Sequence, residues 1–300
     1  MSAPSFDDRD GYIWMNGELV PWRGAKLHVL THALHYASSV FEGIRAYGGK
    51  AFKLREHMER LEYSAQTLDM KMPFTVDQMC EATEETLRKN NISDGYIRPV
   101  VWRGSEQMGV PARSATIHAA IGCWVWPQYF SLEARLKGIR LLMAKWRRPD
   151  PACAPVFAKA AGLYMICTLS KHDAERAGYD DALFLDWRGH VAEATGANVF
   201  FVFDGEIHTP KPDCFLDGIT RRTVIDLAKK RGYKIVERTI MPEEMAKAQE
   251  CFLTGTAAEV TPVREIDGKY TFTPGDVCRT LMSDFDALVG RVEPAKSTAA

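Results

Sequence analysis

No CxxC pair occurs among the seven cysteines, and no Cys/His spacing matches a zinc site. Cys80, Cys123, Cys153, Cys167, Cys214, Cys251 and Cys278 are scattered and odd in number. That excludes a disulfide framework and leaves reduced, mostly buried thiols as the expectation. A basic excess is missing too. The formal net charge is −1, which argues against nucleic acid or an anionic membrane as the main partner. No apolar run approaches the length of a membrane span. No internal repeat or low-complexity segment appears. The opening "MSAPSFDDRDGY" lacks the charged-then-apolar order of a secretion signal, so the cytoplasm is the expected location.

What is present reads as an ordinary globular chain. Its 300 residues suit one large domain or two medium ones. "YIWMNGELV" (12–20) holds two apolar-rich runs around Asn16-Gly17, a strong hairpin signal. Met58, Leu61, Ala65 and Leu68 recur at helical spacing. Thr75 with Gln78 forms a capping-box pattern ahead of a second helix carrying Val76, Met79, Cys80, Thr83 and Leu87. "GYIRPVVW" (95–102) and "TIHAAIGCWVW" (116–126) read as strands. The looser 127–138 is the expected interdomain connection, separating a small domain at 1–126 from a larger one at 139–300. The second part opens with a strand at 139–146 and a Pro-rich loop. A helix is expected from about Ala160 to Gly178, then strand hairpins at 181–195 and 198–210, and a helix at 218–232.

Four short stretches bear chemistry. In "FAKAAGLY" (157–164), Lys159 stands among small and apolar residues. Alone it reads best as a solvated lysine at a helix start, because lysine is rarely buried. If buried, desolvation would lower its pKa toward neutrality and make it a nucleophile. In "EATGAN" (193–198), Glu193 follows an apolar strand, and strand alternation puts it on one face with Val191 and Thr195. It reads equally as an exposed edge-strand glutamate. "LDGITRRTV" (216–224) ends a loop and starts a helix, so Gly218, Ile219 and Thr220 offer N–H groups and a hydroxyl at the positive dipole end. "TGTAAE" (254–259) is a second small turn in which Thr256 could contact an anion. Each turn alone is an ordinary loop or hairpin. An amine, a carboxylate and two anion-binding turns together suit a phosphorylated aldehyde cofactor, pyridoxal 5′-phosphate.

The ordered motifs add to this. "THALHYASSVFEGIRAY" (31–47), "REHMERL" (55–61), "YIRPVVW" (96–102), "MGV" (108–110), "AKAAGLY" (158–164), "EATGAN", "LDGITRRTV" and "LTGTAAEVTPV" (253–263) together resemble the fold-type IV pyridoxal-phosphate enzymes, specifically branched-chain amino-acid aminotransferases. The resemblance runs from about Tyr12 to about Leu288 and reverses the local reading of Lys159. It implies an α+β chain of two domains: a small N-terminal α/β sandwich and a larger β-barrel-like domain with flanking helices. It implies that Lys159 attaches the cofactor and shuttles the proton, that Glu193 pairs with the pyridinium nitrogen, and that Tyr164 orients the phenolic oxygen. Arg60, Leu216, Gly218, Ile219, Thr220 and Thr256 are the further cofactor-binding positions. Tyr36, Phe41, Tyr96, Val110, Trp126 and Tyr129 match aromatic and aliphatic pocket positions. Thr256 and Ala257, with Tyr96, would take the α-carboxylate, and Arg98 the distal carboxylate of glutamate or 2-oxoglutarate.

The implied reaction moves the amino group of leucine, isoleucine or valine to 2-oxoglutarate, in ping-pong fashion. The implied assembly is a homo-oligomer, at least a dimer; no metal is implied. The sequence departs from the common pattern at Ala37, where glycine is usual, at Asp217, where proline is expected, and in the lead-in "CAPVFAKA". D-amino acids, (R)-amines and an aminodeoxychorismate lyase step remain rival readings of the same scaffold. "YIR" and "MGV" favour the branched-chain one.

Overall fold

The computed structural model describes residues 5–126 and 132–291, which divide into two compact units. One holds the chain up to residue 126 together with Ala158–Tyr164; the other holds the remainder. The linear division expected at 127–138 had grouped Lys159 with the second part. Packing groups it with the first, because the stretch around Lys159 is extended and pairs there. Ala160 bridges Val40, the Phe41 N–H donates to the Lys159 carbonyl at 3.2 Å, and the Lys159 N–H donates to Ser64 Oγ at 3.0 Å. The expected connection is also partly helical, with α4 at Leu132–Lys137.

In the first unit, strands β1 (Tyr12–Met15), β2 (Glu18–Pro21), β3 (Ser39–Phe41), β4 (Ile44–Tyr47), β5 (Lys50–Ala51), β6 (Gly95–Arg103) and β7 (Ile117–Val125) form one sheet in the order β2-β1-β7-β6-β4-β5, with β3 also on β6. The β1–β2 turn is the expected hairpin, with Asn16 and Gly17 both at positive φ. Besides a short α1 (His32–Tyr36), two helices, α2 (Leu54–Thr67) and α3 (Val76–Lys89), belong to this unit. Thr75 and Gln78 close the capping box by reciprocal bonds of 3.2 and 2.9 Å. Strand alternation then sorts β6. Ile97 and Val101 face the core with Met58, Leu61 and Met79, and the even positions Tyr96, Arg98, Val100 and Trp102 take the other face.

In the second unit, β8 (Ile139–Arg148), β9 (Asp181–Asp186), β10 (Val191–Ala194), β11 (Asn198–Phe203), β12 (Glu206–Pro210), β13 (Ile235–Arg238), β14 (Glu250–Gly255), β15 (Glu259–Ile266) and β16 (Tyr270–Thr271) share a sheet. Its order β10-β9-β8-β15-β14-β11 closes on itself through a β10–β11 pairing, which makes the barrel. Helices α5 (Met165–Arg176), α6 (Ile219–Lys230) and α7 (Asp276–Leu288) flank it. The helix expected from Ala160 starts late, because Ala161–Tyr164 is a 3-10 turn. Cys123, Cys167, Cys214, Cys251 and Cys278 are buried free thiols, as expected; Cys153 is exposed.

Candidate functional site

In the first unit, the 3-10 turn after Lys159 returns the chain so that Tyr164 faces it. The Lys159 amine donates to the Tyr164 hydroxyl at 2.6 Å. The same amine lies 5.0 Å from the centre of the Phe41 ring, which meets the Tyr164 ring edge-on. Lys159 is therefore partly buried and packed against aromatic faces, not a solvated helix-start lysine. The expected fall in its pKa is reversed. Burial is the largest single influence and pulls the amine down, but Tyr164 and Glu42 together outweigh it and hold the amine above the ordinary lysine value.

Behind the lysine sits a group that local sequence reading passed over. Glu42, in the step between β3 and β4, is fully buried. Arg60 grips it with a two-pronged contact, Nε to Oε1 at 2.7 Å and Nη2 to Oε2 at 2.9 Å. His57 Nδ1 meets Oε2 at 2.7 Å. His57 and Arg60 are three residues apart on α2, so one helix face presents both to one carboxylate. Glu42 lies inside the quoted "VFEGIR" run, but its partners come from another element.

On the outer sheet face, Arg98 lies 4.9 Å from the Phe41 ring centre and 5.3 Å from that of Tyr96. Its Nε is buried and finds no hydrogen-bond partner among the described residues. Tyr96 is buried and packs on Trp126 at 4.5 Å between ring centres. A side-chain carbon on Gly43 would fall 1.9 Å from the Tyr96 hydroxyl, so glycine there makes the room. Arg98 also borders a largely apolar cavity of about 370 Å³ on this face. Lys159, Tyr164, Phe41, Tyr96, Arg98 and Trp126 thus form one linked group. Tyr36 and Val110 stand apart, 46% and 73% exposed, and do not form an enclosed wall on this chain. Tyr36 instead stacks on His32. Ala37, the departure beside it, sits at positive φ (54°), the backbone state that glycine adopts without strain. Tyr129 lies outside the described residues.

In the second unit, Glu193 is buried, not an exposed edge glutamate. The alternation expected for it fails, since the β9–β10 register shifts between Val191 and Ala194 and all four β10 residues are buried. β8 runs two residues further than expected, which brings the buried Arg148 into an ion pair with Glu193. Asn198, register partner of Glu193, donates to its Oε2 at 3.3 Å and to the Leu216 carbonyl at 3.0 Å. Both sequence turns converge here. A side-chain carbon on Gly218 would lie 2.2 Å from Asn198 Oδ1, and one on Gly255 would meet Gly196 and Ala197. Gly218 caps α6 without a side-chain bond, so the first-turn N–H groups of Ile219 and Thr220 have no side-chain acceptor there. Asp217 explains itself: it bonds Arg221 at 2.8 Å, and the buried Arg221 also holds Glu237 at 2.6 Å. Thr256 and Ala257 lie in the turn after β14, next to Thr254, whose buried hydroxyl has no partner among the described residues. An uncapped helix start, small-residue turns and an orphan hydroxyl are a donor set that fits a phosphate, and the buried carboxylate fits a cationic ring nitrogen.

Comparison with known proteins agrees with this chemistry. Residues 39–266 match the amino-transferase class IV family. A branched-chain-amino-acid aminotransferase of Pseudomonas aeruginosa is 45% identical over 269 residues, covering 88% of each chain. The crystal structure of the Escherichia coli branched-chain amino acid aminotransferase superposes with a TM-score of 0.91 at 38% identity, covering 96% of this chain and 98% of that one. The branched-chain amino acid aminotransferase of Thermobaculum terrenum, solved in its PLP form, gives a TM-score of 0.86 at 34% identity, covering 94% of this chain and 95% of that one.

Proposed function

The chain belongs to the amino-transferase class IV family, and we propose that it moves the amino group of L-leucine, L-isoleucine or L-valine to 2-oxoglutarate, giving branched-chain 2-oxo acids and L-glutamate. One observation carries the reading. A single ring, Phe41, has the Lys159 amine 5.0 Å from its centre and the Arg98 guanidinium 4.9 Å from it. An amine, an apolar wall and an acid clamp are thus grouped, which a pocket accepting both leucine and glutamate requires.

Pyridoxal 5′-phosphate, the cofactor of this family, supplies when bound the carbonyl that takes up the amino group and a ring that accepts the electron pair released at the substrate α-carbon. The chain's residues do the rest. Lys159 attaches the cofactor, and its Nζ carries the proton to and from the α-carbon. The Tyr164 hydroxyl, 2.6 Å from that nitrogen, orients it and accepts its hydrogen bond. Glu193, paired with Arg148, would hold the ring nitrogen. The start of α6 at Gly218, Ile219 and Thr220, with Thr256 and Arg60, is assigned to the phosphate. Arg98 clamps the distal carboxylate of 2-oxoglutarate and stays against the Phe41 and Tyr96 rings when the substrate is apolar, which lessens the cost of a buried charge.

The reading extends to a homo-oligomer working in the cytoplasm. Leu27, Val29, Leu30, Leu34 and Tyr36 are exposed within one short stretch, a surface suited to a second copy. The free cysteines suit a reducing compartment. An amino-donor panel against 2-oxoglutarate tests the substrate class. Glutamate should form with the three branched L-amino acids, and faster turnover of D-alanine or (R)-1-phenylethylamine would overturn the specificity. Pyruvate release from aminodeoxychorismate would point to the lyase.

A further inference from the structure

We propose that Glu42 is a positioning residue of this site: its buried carboxylate fixes the Arg60 guanidinium and supplies the negative charge facing Lys159. The inference rests on the aminotransferase reading above. A fully buried carboxylate needs partners, or it takes up a proton instead. Glu42 has them on three sides. Arg60 binds both oxygens through Nε and Nη2, the fork geometry that sets a guanidinium's rotation as well as its position. His57 Nδ1 and, at 3.3 Å, the Gly43 N–H complete the set. The Glu42 backbone is itself tied down, its N–H donating to the Pro99 carbonyl on β6 at 2.9 Å.

The same segment grips the lysine. Phe41, next in the chain, holds the Lys159 carbonyl, and Ser64, one turn beyond Arg60 on α2, holds the Lys159 N–H. Arg60 and Lys159 are therefore referred to one rigid frame with Glu42 at its centre. The titratable and charged groups facing Lys159 are Tyr164, Glu42 and Arg60, with His57 one contact behind. Burial, the largest influence on His57, outweighs the pull of Glu42 and keeps the imidazole below its ordinary pKa. A neutral His57 donates its Nδ1–H without adding charge. Burial would raise Glu42, but Arg60 and His57 overcome it and hold the carboxylate ionised. Glu42 touches no reacting atom; it acts through Arg60 and through its field at Lys159.

The test uses the full chain as wild type, Glu42→Gln and Glu42→Asp. Each is stripped of cofactor, then titrated with pyridoxal 5′-phosphate and, separately, with phosphate-free pyridoxal. The absorbance of the lysine-bound cofactor is then followed over pH. Glu42→Gln should weaken uptake of the phosphorylated form by about tenfold or more while leaving pyridoxal within roughly twofold, because only the phosphate depends on Arg60. Its absorbance midpoint should fall by roughly half a pH unit or more, since a negative charge near the lysine nitrogen is gone. Glu42→Asp keeps the charge, so its midpoint should stay near wild type while the phosphate-specific loss persists. Equal losses for both ligands, or wild-type uptake and midpoint in Glu42→Gln, overturn the proposal. If Glu42→Gln does not fold, Glu42→Asp decides by the same phosphate-specific comparison. A wild type that binds neither ligand sinks the aminotransferase reading as well. A wild type that binds both, with variants identical to it, sinks this inference alone.

Discussion

Lys159 owes its chemistry to what surrounds it. With the Tyr164 hydroxyl 2.6 Å away, the amine is held charged until a ligand changes that balance. Lys159→Ala is expected to take up cofactor without the absorbance of the lysine-bound form and to lose turnover by orders of magnitude; near-native activity would refute the mechanism. In the proposed reaction Arg98 acts on one substrate only. Arg98→Met should raise KM for 2-oxoglutarate sharply, a loss of about 1.5–3 kcal/mol for the charge-assisted bonds, and change leucine kinetics much less. Parallel steady-state measurements with the two substrates read this split; equal losses on both would count against the clamp. His57 is testable through pH. Its folded pKa lies below its unfolded value, so the unfolded chain binds the extra proton and stability falls as pH drops below about 6.5. Glu42 is also depressed, so its contribution is present above about 4.3 and fades below that. The stability gap between wild type and His57→Gln should therefore narrow as urea unfolding is repeated from pH 7 down to pH 5.

Elements matter where they bring turns together. The pairing of Glu193 with Asn198 lets one amide reach both the carboxylate and the loop ahead of α6. Gly218→Ala adds a carbon 2.2 Å from Asn198 Oδ1, and Asn198 is buried and tied on two sides, so it cannot simply turn away. The expected cost is about 1–3 kcal/mol, seen as a lower Tm and as weaker uptake of phosphorylated cofactor. A neutral Gly218→Ala would mean that this contact is slack. The elements were largely legible in the sequence. The Asn16-Gly17 hairpin, the Thr75 capping box and the α2 stripe all depend on neighbours within a few residues. The start of α5 was not, because pairing of Ala160 with Val40 overrides the helical spacing that follows Lys159.

Taken as a whole molecule, the chain presents an apolar stretch from Leu27 to Tyr36 that no described element covers completely. Light scattering should return at least twice the chain mass, and Leu34→Asp should shift the population toward monomer. A monomeric wild type would remove the homo-oligomer from the reading. Tyr36 and Val110, exposed on the single chain, bear on the same experiment, since a second copy is what would enclose them.

The order of the motifs by itself determined the family and proposed the covalent lysine and the residue types set around a phosphate, because these need only identity and spacing along the chain. Tertiary structure alone decided the charge state of that lysine. It brought Glu42 and Arg60 to Lys159, and Arg148 to Glu193, from distant positions in the chain. Buried ion pairs take their strength from closeness in space and exclusion of water, and neither is written in local sequence. "FAKAAGLY" therefore names the proposed nucleophile, while the fold sets when it carries its proton.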